Sequence, residues 1–288
     1  MPSLKAIRSR IASVKNTQKI TRAMKLVAAA RLRRAQEQVI AARPYASALG
    51  EVIAEVAARA GDDAHPLLVT RTERKVELIV MTSDRGLAGA FNSSVNRAAE
   101  RFTYERGADL EHIGLAVIGR KGRDYLRRRK VNIVRELAGV TSPTALARAQ
   151  EVAAQVIADY AAGRTDAVYL VYNEFKSAMT QKVQVERLLP VVPAELAGPA
   201  RTGDLAYEPT RAEVLDALLP LHVRVQLYRA LLESIASEFG ARMSAMDSAT
   251  NNAREMISKL SLDYNRARQA TITKELLEII GGAEALKG

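Results

Sequence analysis

Both ends of this 288-residue chain carry a seam of apolar and small residues at alternating steps of four and three. From Ala28 the seam runs Leu32, Ala35, Val39, Ala42, Ala46, Leu49, Ile53, Val56 and Ala60. Leu4, Ile7, Ile11 and Val14 keep the same spacing, and the phase then slips near Gln18. A heptad pattern of this length predicts a coiled-coil helix over most of positions 1–60. Ser3 can cap its start. Pro44 should kink the helix or mark a short break.

The other end repeats the pattern. Thr210 followed by Glu213 makes a capping box. Downstream the seam reads Leu232, Ile235, Phe239, Met246, Ala249, Ala253, Met256, Leu260, Ala267 and Ala270, with Arg242 and Asp263 as interruptions and Pro220 as an early kink. At 1.5 Å per residue the first helix spans about 80 Å, and the second, if continuous to Leu286, about 110 Å. A lone helix of that length cannot bury its seam. Two of them at opposite ends of one chain can bury each other, antiparallel, with the middle as an insertion. Alanine-rich seams let the axes approach closely, which predicts a thin rod.

The middle has another rhythm. "VELIVMT" (Val76–Thr82), "IGLAVIG" (Ile113–Gly119) and "AVYLVYN" (Ala167–Asn173) are short β-branched runs. Helical stretches alternate with them: one from a cap near Asn92 to a stop at Gly107, another from Ser142 as cap, with Pro143 in its first turn, to Gly163. Strand–helix alternation predicts a parallel sheet with helices on its faces, a Rossmann-like α/β domain. "KVQVERLLPVV" adds an edge strand. Boundaries near Gly61–Pro66 and Gly198–Pro209 divide the chain into an N-terminal helix (1–60), a central α/β domain (61–209) and a C-terminal helix (210–288). The fold class is therefore α/β plus a long antiparallel two-helix coiled coil.

No catalytic constellation is found. "SDRGLAGAFN" (Ser83–Asn92) follows the first strand, where phosphate loops lie, but its Gly86 and Gly89 match neither a dinucleotide fingerprint nor a P-loop. A tight turn between strand and helix is the better reading, with Asp84 capping it rather than acting as an acid. "GRKGRD" after the second strand fails the same test. Cysteine is absent, so disulfides and thiolate metal sites are excluded. His65, His112 and His222 have no metal-site spacing. "MPSLKAIRSR" lacks the apolar stretch of a secretory signal, and no run approaches the roughly 18 apolar residues that span a bilayer. The chain reads as soluble and intracellular.

The charge is concentrated. Positions 1–60 hold 12 Lys/Arg against 3 Asp/Glu, most of the net +11, whereas positions 211–288 hold 10 of each. "ITRAMKLVAAARLRRAQ" (Ile20–Gln36) has no acid, glycine or proline. Two readings stand for it. It and "GRKGRDYLRRRK" could meet nucleic-acid phosphates in a basic coiled-coil scaffold, although no helix-turn-helix, zinc finger or RNA signature accompanies them. The other reading is a rod whose basic side presses on acidic protein surfaces. The neutral second helix favours the rod.

"IRSRIASVKNTQKITRAMKLVAAARLRRAQ", "SDRGLAGAFN" and "YNRARQATITKELLEIIGGAEAL" closely resemble the γ subunit of the F-type, H+-transporting ATP synthase of bacterial type. The likeness extends over essentially the whole chain. It implies the central rotor shaft, coupling proton flow through the membrane sector to ATP synthesis or hydrolysis on a ring of α and β subunits. The chain itself would be non-catalytic and carry no cofactor or metal, with Mg-ATP and ADP on α and β. In the segment matching Met24 to Arg34, Met24, Lys25, Arg31, Arg33 and Arg34 would face acidic lever loops of β. Arg268, Gln269 and Thr273 would engage catch loops, and "LLEIIGGAEAL" would turn in an apolar sleeve. Tyr207 and Glu208 match the foot, near ε and the c ring. Partners would be α, β, ε and the c ring, with no nucleic acid and membrane association only through those partners, on the cytoplasmic face of a bacterial inner membrane. Ala88 and Ala90 depart from the Cys and Gly common in the family's turn, and the Cys-bearing insertion of the chloroplast type is missing.

Overall fold

The computed structural model describes residues 3–58, 65–129, 131–196, 208 and 210–285. Its elements are α1 (Leu4–Ala58), β1 (Lys75–Met81), α2 (Phe91–Arg106), β2 (His112–Ile118), α3 (Arg120–Arg128), β3 (Ile133–Leu137), α4 (Ala145–Ala161), β4 (Ala167–Phe175), β5 (Gln181–Leu189), α5 (Pro193–Leu196) and α6 (Arg211–Ala285). Two compact units emerge: Met1–Val27 with Met243–Gly288, and Ala28–Arg242.

In the first unit α1 and α6 pair antiparallel. Thr21 meets Thr250 (Oγ1–Oγ1 2.8 Å) and Lys25 meets Asp247 (2.6 Å), so numbers fall on one helix as they rise on the other. Ser3 accepts from the Ala6 amide through its hydroxyl, as a cap should. The seam of α1 does not slip at Gln18. The steps of four and three continue through Gln18, Thr21 and Lys25, which are polar seam positions: Thr21 is buried, and Gln18 and Lys25 are half-buried. On α6 the buried or half-buried line is Met246, Thr250, Ala253, Ile257, Leu260, Tyr264 and Ala267. Met256 and Ala270, expected on the seam, are exposed, and Asp263 lies beside it. Taking the step of four from Met246 to Thr250 puts Ile257 and Tyr264 where Met256 and Asp263 were expected.

In the second unit a five-stranded sheet has the order β3-β2-β1-β4-β5. β1, β2, β3 and β4 run parallel, and β5 returns antiparallel on β4. The sheet is thus mixed rather than wholly parallel, because "KVQVERLLPVV" turns straight back in a hairpin. Right-handed crossovers put α2 and α3 on one face and α4 on the other. Leu78 and Val80 of β1 and Leu115 and Val117 of β2 pack with Val95, Ala99 and Leu126 on the α2–α3 face. Successive strand residues alternate faces, so Glu77, Ile79 and Met81 look the other way. Glu186 of β5, opposite Leu170 of β4, meets Arg229 of α6, which places α6 on that second face.

Three elements were not foreseen, one of them the single turn α5 that follows the edge strand, where a loop around Pro190 and Pro193 was expected. β3 is a short edge strand whose Arg135 turns inward to buried Glu77 and to Asp159 of α4. α3 hides only Gly122 and Leu126 under a basic surface. The helix expected from Ser142 starts at Ala145, after a turn in which the Thr144 amide donates to the Thr141 carbonyl. Its end is as expected: Gly163 at φ +69° donates to Tyr160 O, and Arg164 N donates to Asp159 O, a left-handed helix stop that glycine favours. Thr210 and Glu213 form their box, with the Glu213 amide donating to Thr210 Oγ1 at 3.3 Å. Pro44 and Pro220 lie inside α1 and α6, and neither ends its helix.

Candidate functional site

The carboxyl end of a doubly wound sheet, where the strand order reverses, is where such folds hold ligands. Here that place adjoins β1 and β4. Below β1, the Ser83 amide donates to Asn92 Oδ1 (2.9 Å), Asn92 Nδ2 donates to Ser83 Oγ (3.0 Å), and Ser83 Oγ donates to Arg85 O (2.8 Å). Asp84, expected to cap its own turn, instead accepts from the amides of Arg120 at the start of α3 (2.9 Å) and of Gly139 after β3 (2.7 Å), so it ties neighbouring loops to the end of β1. The turn passes through positive φ at Leu87 (+65°) and Gly89 (+54°). Its two ends are tied together by the Ser83 and Asn92 side chains.

The crevice itself is filled by α6. Ser237 Oγ donates to Asn173 O at the end of β4 (3.0 Å), and Arg242 Nη1 donates to Gly86 O (2.8 Å). At Gly240 an added Cβ would lie 2.9 Å from Ala178 O, so glycine lets the β4–β5 hairpin press against the helix. What remains between Met81, Asp84, Phe91, Ser234 and Glu238 is a cavity of about 20 Å³, the room of one water. Arg242, an interruption in the seam, is explained by its bond to Gly86 and its pair with Glu238, whose carboxyl is pushed up by burial and drawn back by that guanidinium.

The basic residues of α1 fare differently from one another. In the first unit Met24 is half-buried, and the Lys25 charge is already matched by Asp247. In the second unit Arg31 lies over the Phe239 ring, 5.8 Å from its centroid. Arg33 is 86% exposed and makes a loose i,i+4 pair with Glu37 at 3.4 Å, and Arg34 is exposed. Of the residues expected to meet β, Arg33 and Arg34 are the ones that keep their charge at the surface, alongside the exposed Lys19 and Arg22 earlier on α1.

On α6 of the first unit, Ala267 is the last of the described residues with any burial. Arg268, Gln269 and Thr273 and every described side chain to position 283 are exposed. Leu276, Leu277, Ile279 and Ile280 are 54–67% exposed on this unaccompanied helix. Ile20, Leu26 and Val27 of α1 add exposed apolar surface that a reading of charge alone had missed. The signal was present in the sequence: they are large apolar residues off the seam. Apolar surface of this extent marks a place that another protein covers. Of the two foot residues, Glu208 is exposed and Tyr207 lies outside the described residues.

The family model described as ATP synthase matches residues 3–286. The chain belongs to the ATP synthase γ-chain family. It is 54% identical to the ATP synthase gamma chain of Anaeromyxobacter sp. (strain Fw109-5) and 52% identical to that of Geobacter metallireducens, each covering 100% of both chains. Among solved structures it resembles a chain of the Tetrahymena thermophila mitochondrial ATP synthase central stalk and c-ring structure, with TM-score 0.62 and 30% identity over 80% of this chain and 99% of that one. A chain of the Euglena gracilis enzyme shares the fold at TM-score 0.65 and 20% identity, over 98% and 94%. The reading as a nucleic-acid scaffold finds no support in these likenesses. Among the described residues no helix is long and apolar enough to cross a membrane.

Proposed function

We infer that this chain is the central rotor shaft of an F-type ATP synthase and couples proton flow through the membrane sector to ATP synthesis or hydrolysis on a ring of α and β subunits. The observation that carries this is the unaccompanied apolar end of α6 within a chain-long match to γ chains. In water such a helix end has no partner for its leucines and isoleucines; inside a ring it has one. Lever loops of β act on the segment from Met24 to Arg34, and Arg33 and Arg34 offer the charge. Exposed ion pairs of about 0–1 kcal/mol can form at one angle and dissolve at the next, as rotation requires. Arg268, Gln269 and Thr273 meet the catch loops, and Tyr207 and Glu208 form the foot toward ε and the c ring. The chain carries no catalytic site or cofactor of its own; Mg-ATP and ADP bind on α and β, and the chain stays at the cytoplasmic face of a bacterial inner membrane through its partners.

Co-purification from native membranes tests the assignment. Recovery with α, β, ε and the c ring is expected, and recovery with RNA or DNA that survives moderate salt would overturn it. Calorimetry of the isolated chain should register no ATP binding at micromolar concentrations, since α6 and the Ser83–Asn92 turn fill the place where the sheet would hold a nucleotide.

A further inference from the structure

A rotor must carry twist from the sheet to the helices that run beside it. Apolar packing holds two surfaces together but is non-directional, so it resists separation better than sliding. Charged hydrogen bonds are directional and steep in distance and angle. In the second unit one line of charged hydrogen bonds and one ion pair crosses from α1 through α6 to two strands. Arg43 of α1 donates from Nη2 to Phe175 O at the end of β4 (2.9 Å) and reaches Glu233 Oε1 of α6 at 3.4 Å. Glu233 Oε1 also lies 3.7 Å from Arg229 Nη1, one turn earlier on α6. Arg229 Nη2 then donates to both carboxylate oxygens of Glu186 on β5, at 2.6 and 2.8 Å, while Gln226 steadies its Nε at 2.8 Å. Tyr172 of β4 closes the line by donating to Glu186 Oε2 at 2.7 Å. Its centre is dry: the Glu233 and Arg229 side chains are 2% and 20% exposed.

We propose that the ladder Arg43–Glu233–Arg229–Glu186 is the joint through which torque passes between the sheet and the helices packed on it, its four side chains acting as positioning residues of the rotor. The proposal rests on the rotor reading. Every rung joins two different elements except Glu233–Arg229, which ties the two halves within α6. Shear of the sheet along the helices would therefore stretch charged contacts that reach the surface at Arg43 and Glu186 but are poor in water at Glu233 and Arg229, where solvent does not replace them cheaply.

Stability and stiffness can be separated. Exchanging a whole buried ionic network for apolar side chains of similar size is often neutral for folding, yet it removes the directional contacts. The test uses the chain in complex with α and β subunits. The native chain has no cysteine, so Tyr104→Cys on α2, at a site 87% exposed, takes a bead with no competing label on this chain, in a complex whose α and β subunits are made cysteine-free. The readout is the angular spread of the bead during pauses of ATP-driven rotation. Replacing Arg43, Glu186, Arg229 and Glu233 together by Met should at least double the angular variance while the complex still assembles. Arg229→Lys, which keeps the charge and loses the fork, should broaden it by less.

Native-like spread in both variants would overturn the joint. Native-like spread in Arg229→Lys with no assembly of the four-fold variant would also overturn it, by making the ladder a folding element. Broadening in Arg229→Lys supports it whether or not the four-fold variant assembles. A native complex whose bead does not turn under ATP would instead refute the rotor reading.

Discussion

His222 makes acid the weakness of this chain. It sits on α6 with 4% of its surface exposed, and its Nδ1 has no hydrogen-bond partner among the described residues. Burial, and then the Arg229 guanidinium, push its pKa down from 6.5 to about 4, against a smaller pull upward from Glu186. Well above pH 6.5 the ring is neutral folded or unfolded, and its titration costs nothing. As pH falls through 6.5 the unfolded chain takes up a proton that the folded chain refuses, and the unfolded state gains. The loss of stability grows until the folded pKa is reached and is then constant, at about 3 kcal/mol from the shift of roughly two and a half units. At pH 4.5 it is about 2.5 kcal/mol. His222→Leu removes the titration and leaves no orphaned nitrogen. The variant should match the native chain within about 1 kcal/mol at pH 7.5 and exceed it by about 2.5 kcal/mol more at pH 4.5. Urea unfolding at both pH values, followed by near-ultraviolet dichroism of the buried tyrosines Tyr160 and Tyr172, measures the difference. A gap between variant and native chain that is the same at both pH values would refute the argument.

Reversing Arg33 and Arg34 to Glu should leave the complex assembled, because both sites are exposed and Glu is a good helix former; ATPase turnover should change and ATP-driven proton pumping weaken, and normal values for both would remove this segment from the torque path. Thr21→Cys with Thr250→Cys should oxidise to a disulfide within one chain, because the two hydroxyls already touch at 2.8 Å; exclusively intermolecular products would contradict the antiparallel pairing. Deleting positions 268–288 should shift the unfolding free energy of the isolated chain by less than about 0.5 kcal/mol, since every described side chain from 268 to 283 is exposed, while the truncated rotor should couple poorly in the complex; a large loss of stability would mean that the helix end has a partner within the chain. Lys25→Ala should cost no more than about 1 kcal/mol, because its pair with Asp247 is 39% and 47% exposed; a loss of several kcal/mol in urea unfolding would show that the pair holds the seam.

Periodicity was legible wherever neighbours along the chain decide it. The seams from Leu4 to Val14 and from Ala28 to Val56, the cap at Ser3, the box at Thr210, the stop at Gly163 and the strands at Val76, Ile113 and Ala167 all depend on residues within a few positions of one another, and the chain alone determines them. The polar seam was misread for the opposite reason. Thr21 and Lys25 look like a break in phase until Thr250 and Asp247, more than 200 positions away, stand across from them. A hydroxyl on a seam is an error or a contact depending only on its partner. β3 escaped notice because Arg135 faces inward, and only Glu77 and Asp159 make that burial tolerable. The same limit governs the candidate site. The sequence alone determined that no phosphate loop follows β1 and that positive charge collects on α1. Only the tertiary structure decided that α6 fills the end of the sheet, that Lys25 is already paired while Arg33 and Arg34 remain at the surface, and that α6 runs on alone beyond Ala267, because burial is set by what lies across from a residue in space.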